Sequence, residues 1–239
     1  MTYQIALVSI AASLTALAQV SATVVPGSSG RSRIVVTNQS DIPLEAYEVT
    51  WVAPRGPHFS NTATSVSYVD NAFQMSAKPA ERASISIGGD ADTTVQVRAA
   101  IFKDGSTFGD SEWVAILMKR REQYDASLDA FLRELRAAAN ESLTREELVT
   151  RLEALRISLL ATLPAATATI TELNLPSLTA AAQREAVEMV SGLVIASFKK
   201  LPVIRRGASV KTQSYRETLA STTQMLKDRR ITFSSVMGN

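Results

Sequence analysis

Between about Ser21 and Phe102 the apolar residues of this chain return at every second position; from Asp110 onward they return at every third or fourth. A period of two lets an extended chain bury one face, and a period near 3.6 lets a helix do so. The chain therefore reads as a run of strands followed by a run of helices, with the change of rhythm near the Asp104-Gly105 turn. Strands are expected at Ser32–Asn38, Leu44–Val52, Ser65–Val69, Ala83–Ile87 and Thr94–Phe102. In the last of these Val95, Val97, Ala99 and Ile101 share one face, and Trp51 is the expected core anchor. Leu44 and Ala46 are in one phase and Val49 and Trp51 in the other, which points to a bulge. Pro43, Pro54, Pro57, Pro79, Gly56 and Gly88-Gly89 separate the runs as turn formers. Short strands at this spacing, with no helix between them, predict an antiparallel β-sandwich over residues 19–106.

Residues 107–239 predict a helical domain. Trp113, Leu117, Tyr124, Leu128, Phe131 and Leu135 mark the stripe of a first helix of about 28 residues, capped by Asp110. Lys119-Arg120-Arg121 interrupts that stripe, so a basic side chain must face the seam or snorkel out of it. Thr144-Arg145-Glu146-Glu147 is a capping box for a second helix with Leu148, Leu152, Leu155 and Leu159 inward, stopped by Pro164. Ala165–Pro176 reads as a connector, Ser177 as the cap of a third helix to about Lys199, and Ser209–Arg229 as a fourth helix followed by a fraying tail. None of these one-faced helices is stable alone in water, so a three- or four-helix antiparallel bundle is expected. The leucine seam also permits self-association between chains, although the short connectors favour folding back within one. The fold class is thus α+β with the two kinds of element segregated.

The sequence Asn38-x-Ser40-x-x-Pro43-Leu44 after a β-branched strand, and the later Ile101-Phe102-Lys103-Asp104-Gly105-Ser106, resemble features of bacterial extracytoplasmic immunoglobulin-like domains. In those domains an Asn-Ser turn joins two core strands, a Pro opens the second, and the last strand runs into an exit turn. The likeness spans residues 21–105, and the cysteine pair of antibody-type domains is absent. It implies a sandwich in a secreted setting and assigns no binding residues.

Composition narrows the chemistry. The chain has 239 residues, no Cys and one His, which excludes disulfide frameworks, Cys-ligated metals, thiol nucleophiles and multi-His metal sites. The net charge is +2, split as −1 through residue 107 and +3 beyond it, with acids and bases interleaved, so a nucleic-acid partner is not indicated. Residues 5–18, IALVSIAASLTALA, read as a signal peptide cleaved after Ala18, with Ala22 as a second site. The segment before it, Met1-Thr2-Tyr3-Gln4, lacks the usual basic residue. No span is expected in the mature chain: Val187–Phe198 is apolar but interrupted by Glu188, Ser191 and Gly192.

Individual candidates carry little. His58, between Pro57 and Phe59, reads as an exposed loop residue, and no Gly-x-Ser-x-Gly elbow accompanies it. Glu146-Glu147 suits a helix N-terminus and Asp90-x-Asp92 a polar turn. Asp104, Ser106 and Asp110 could offer oxygens to calcium, but Asp-Gly is first a turn and Asp110 first a cap. The basic clusters 119–121, 199–200, 205–206 and 227–230 read as helix-end complementarity more than as phosphate sites. No catalytic, cofactor-binding or metal-binding residue is assigned, and no cofactor is expected. The expected function is that of an exported, non-catalytic protein acting by protein–protein contact or as an envelope scaffold, its partner an unknown protein. An extracytoplasmic hydrolase using paired carboxylates is the alternative, and a cytosolic regulatory or nucleic-acid-associated helical protein a third.

Overall fold

The computed structural model describes residues 19–26, 31–53, 63–71, 84–88, 93–141, 143–166, 174–199, 203–206, 209–212 and 214–237. The expected leader, His58 and the Asp90/Asp92 pair lie outside the described residues. The chain runs β1 (Val20–Pro26), β2 (Arg31–Asn38), β3 (Leu44–Ala53), β4 (Ala63–Asp70), β5 (Ser84–Gly88), β6 (Thr94–Phe102) and β7 (Thr107–Gly109), then α1 (Ser111–Glu141), α2 (Arg145–Ala161) and α3 (Leu175–Lys199). A hairpin of β8 (Val203–Arg206) and β9 (Ser209–Thr212) precedes α4 (Tyr215–Met237). Among the described residues the fold is α+β, with two antiparallel sheets in the first part and four helices in the second.

The first sheet has the order β1-β2-β5 and the second β4-β3-β6-β7. Val20, Ile34, Val36 and Ile87 of the first join Leu44, Tyr47, Val49, Val69, Ala100 and Phe102 of the second in one buried apolar cluster. The turn between β2 and β3 is built by side chains: the Asn38 amide donates to the Ile42 carbonyl at 2.7 Å, and Asn38 Oδ1 accepts from the Ser40 backbone at 3.0 Å. Trp51 is only partly buried against this core, and Tyr47 is the fully buried aromatic of the strand.

Two bulges decide which residues face which way. Pairing of β3 with β6 runs Leu44↔Phe102 and then Ala46↔Ile101, so Glu45 is an extra residue and the phase of β3 changes as the sequence suggests. Pairing then steps from Glu48↔Ala99 to Val49↔Val97, so Arg98 is an extra residue in β6. This corrects the expected face of β6: Val95 and Val97 turn to the intersheet core with Ala100 and Phe102, while Ala99 and Ile101 turn to the opposite side. The bulge carbonyl of Arg98 accepts the Asp110 backbone N–H at 3.0 Å. Gly109 packs directly on that carbonyl with φ of 103°. A Cβ at Gly109 would stand 2.2 Å from the Arg98 oxygen, which backbone cannot yield without unseating β7. Gly109→Ala is therefore expected to lose about 2–3 kcal/mol, read as a lowered urea midpoint at unchanged slope.

The helices begin as their caps dictate, with two corrections. Asp110 Oδ1 accepts from the Glu112 backbone at 2.9 Å and the Thr144 capping box is complete. The cap of α3 is Asn174, not Ser177: Asn174 Oδ1 accepts the Ser177 N–H at 3.3 Å. Pro176 lies inside the first turn, where a missing N–H leaves no intrahelical bond unmade. The segment expected to open the fourth helix at Ser209 is the β8-β9 hairpin; α4 starts after Ser214, whose hydroxyl and backbone exchange hydrogen bonds with Glu217. The tail expected to fray continues as helix to Met237. Leu128, Phe131 and Leu135 of α1, Leu148 and Leu152 of α2, Val190 and Val194 of α3, and Leu219 and Leu226 of α4 form one buried cluster. Leu155 and Leu159 of the leucine seam are only partly buried against it.

Candidate functional site

The outward face of the four-stranded sheet does not meet solvent. Ala46, Ala99 and Ile101 lie beneath Trp113, Ile116 and Leu117 of α1 and Leu178 and Ala182 of α3, so the β and α parts share a third core. Because α1 starts two residues after β7, its first turns are carried straight across this face. The small side chains Ala46, Ala99 and Ala182 let helix and sheet approach closely.

Into this apolar seam the chain places a layer of charge. Register puts Glu48 opposite Tyr68 and Ala46 opposite Asp70, so Glu48, Tyr68 and Asp70 share the covered face. From α1, Arg121 donates to both carboxylate oxygens of Asp70, Nε at 2.7 Å and Nη2 at 2.8 Å, and each side chain is 1% exposed. Arg120, one residue earlier, donates from Nη2 to Glu185 of α3 at 3.2 Å and stands 5.1 Å from the Tyr68 ring centre. Arg98 stacks its guanidinium 4.7 Å from the Trp113 ring centre and donates to Gln96 at 2.8 Å. The interruption of the helix stripe at 119–121 is thus resolved: Arg120 and Arg121 face the seam and find acids there, while Lys119 pairs outside with Glu122.

Glu48 is the anomalous member. It is 0% exposed, and its carboxyl oxygens reach no donor in full hydrogen-bond geometry. Burial pushes its pKa up to about 8, against the opposing pull of the Tyr68 hydroxyl, Arg120 and Arg98. Burial first, and then the charges of Glu48 and Glu185, raise the Tyr68 phenol well above the ordinary tyrosine value. At pH 7 Glu48 is therefore mostly a neutral acid, able to donate a proton or a hydrogen bond. Glu48 and Asp70 are diagonal neighbours on adjacent strands, roughly 7–8 Å apart for such a pair and somewhat closer between their Cβ atoms.

Among the described residues, those singled out from sequence form no common site. Glu147 is spent on its capping box, and Asp104 Oδ1 accepts from the Ser106 backbone and hydroxyl at 3.0 and 2.6 Å, a turn and not an ion cage. Asp110 caps α1. Lys199 pairs with Glu153 at 2.6 Å, Arg205-Arg206 lies in β8, and Arg229 donates to the Tyr124 hydroxyl at 3.1 Å. Glu48, Tyr68, Asp70 and Arg98 were not singled out; an acid in mid-strand between Tyr47 and Val49 is their one local signal.

Two surface features complete the inventory. A groove of about 730 Å³ runs between the end of α1 and α4, with Ala138, Leu219 and Ala220 on its floor and Arg216 and Lys227 along it. Near the end of α2, Ile157 is 64% exposed beside Leu160 and Leu163. Among the described residues no cluster of acids and imidazoles suits a metal, and no helix is long and apolar enough to cross a membrane. Comparison with protein-family models, curated proteins and solved structures found no match.

Proposed function

We propose that this chain is an exported, non-catalytic protein that acts by protein–protein contact or as an envelope scaffold. The observation that carries the reading is that the buried carboxylates lie in the joint between sheet and helices: Asp70 is clasped by Arg121, and Glu48 is fully buried on the same face of the sheet. An acid so placed meets no substrate while the helices stay seated. The partner-facing surfaces are then the groove along α4 and the apolar end of α2. In this reading the first part is an immunoglobulin-like sandwich and the second a four-helix antiparallel bundle. Lettered A to G, the strand orders become A-B-E and D-C-F-G, which is the constant-type arrangement with the fourth strand moved to the other sheet. The Asn38-Ser40 turn chemistry supports the same likeness.

Export carries its own geometric consequence. Val20 is buried in the intersheet core and pairs with Asn38. Cleavage after Ala18 leaves β1 whole, whereas cleavage after Ala22 would remove its buried end. Mass analysis of protein from fractionated cells is expected to find an extracytoplasmic chain that begins at Gln19. An intact amino terminus in the cytosol overturns the reading.

The carboxylate hydrolase is the second reading, and Glu48 favours it, since a buried acid with a raised pKa, diagonal to a carboxyl group held by an arginine, resembles the pairing such chemistry uses. Turnover of a glycoside or ester substrate by the wild-type chain, lost in Glu48→Gln, would decide for it.

A further inference from the structure

Four elements bring ionisable groups to the seam: Glu48 from β3, Tyr68 and Asp70 from β4, Arg98 from β6, and Arg120 and Arg121 from α1; α3 adds Glu185 from the side. The three arginines hold different partners. Arg121 is locked in two parallel hydrogen bonds to Asp70, a fork geometry that resists exchange. Arg98 lies flat on Trp113 and is bonded to Gln96. Arg120 donates to Glu185 at 3.2 Å, and while Arg120 is 3% exposed, Glu185 is 47% exposed. Water can take over a half-exposed carboxylate at little cost. It cannot reach Glu48, which is fully buried, so an ionised Glu48 must recruit a cation from inside the seam. Arg120 is the arginine that stands over Tyr68, the residue paired with Glu48, whereas Arg98 lies on Trp113.

We propose that Arg120 is a proton-gated clasp: with a proton on Glu48 it holds Glu185 and ties α1 to α3, and with Glu48 ionised it turns to Glu48 and releases α3. Its motion is short, because Arg120 already lies over the ring of Tyr68, the residue directly opposite Glu48 in the sheet. Met189, one turn beyond Glu185, contacts the same guanidinium at 3.4 Å and would lose it together with Glu185. The arrangement lets ambient pH set how firmly the first half of α3 is held over the sheet, and it stands whether or not the chain is exported.

The test uses the full chain at pH 6 and pH 9.5. Structures at the two pH values should show Arg120 on Glu185 at the lower and on Glu48 at the higher. Hydrogen exchange over residues 178–189, corrected for intrinsic rates, should be about two- to fivefold faster at the higher pH in the wild type, the range a half-exposed ion pair allows. In Glu48→Gln, which keeps the shape and removes the titration, Arg120 should stay on Glu185 and exchange should be equal at both values. In Glu185→Gln, where the tie is already gone, exchange of this stretch should be faster than in the wild type at pH 6 and should gain less on going to pH 9.5, because Glu48 still titrates. Arg120 on Glu185 at both pH values in the wild type, or a pH response that survives in Glu48→Gln, overturns the clasp.

Discussion

Arg121→Met is expected to destabilise the chain by about 3–5 kcal/mol, read from the denaturant midpoint near pH 7. The size follows from what is left behind. Asp70 is 1% exposed, and both of its oxygens accept from the Arg121 guanidinium, so the substitution strips a buried carboxylate of its strongest partner. Water cannot replace that partner beneath α1, and the carboxylate must stay desolvated, take up a proton at a free-energy cost, or pull the helix off the sheet. A methionine of similar length fills the channel, so lost packing contributes little. The pair need not be a net source of stability relative to apolar residues, because removing two charges from water costs nearly as much as their contact returns. The double variant Asp70→Leu with Arg121→Met should therefore recover most of the loss. A single variant within about 1 kcal/mol of wild type would mean that the seam is wet and the sheet–helix union loose.

What could be read from the sequence was local, and what could not was pairing. The switch of hydrophobic period at Asp104-Gly105, the Asp110 cap and the Thr144 capping box each depend on residues within a turn of one another, and each was legible. The bulge at Glu45 announced itself because it shifts apolar residues within one strand. The bulge at Arg98 did not, because Val95, Val97, Ala99 and Ile101 alternate perfectly in sequence while the extra residue exists only relative to β3. The β8-β9 hairpin is four residues a side, too short for alternation to outweigh the helical pattern that follows it. The charged seam was half legible: the arginines broke a helical stripe, but their acids stand 51 and 65 residues away along the chain. No periodicity links positions so far apart. A basic residue on a helix's buried face and an acid in mid-strand are each anomalous alone, and folding brings the two anomalies together.

The same seam makes stability depend on pH in an unusual direction, and the comparison of wild type with Glu48→Gln isolates the effect. Most carboxylates in a folded protein have depressed pKa values, and stability falls as the pH drops through them. Glu48 is the reverse case, lifted from 4.5 to about 8 by burial. Between those values the unfolded chain has released this proton and the folded chain retains it, so ionisation favours unfolding and stability falls as pH rises. The contribution is fully present below about pH 4.5, declines up to about pH 8 and is flat above it. A shift of that size sets an upper bound of about 5 kcal/mol, and recruitment of Arg120 lowers the expected loss to about 2–4 kcal/mol. Glu48→Gln has no proton to lose at this position. The two proteins should be of similar stability at pH 5, and the variant should be the more stable by that margin at pH 9. Exposed acids held low by their caps and ion pairs, Glu147 and Glu153 among them, act in the opposite sense only at lower pH and are common to both proteins. A gap between the two stability curves that stays constant from pH 5 to pH 9 would place Glu48 in contact with water and remove the physical basis of the seam.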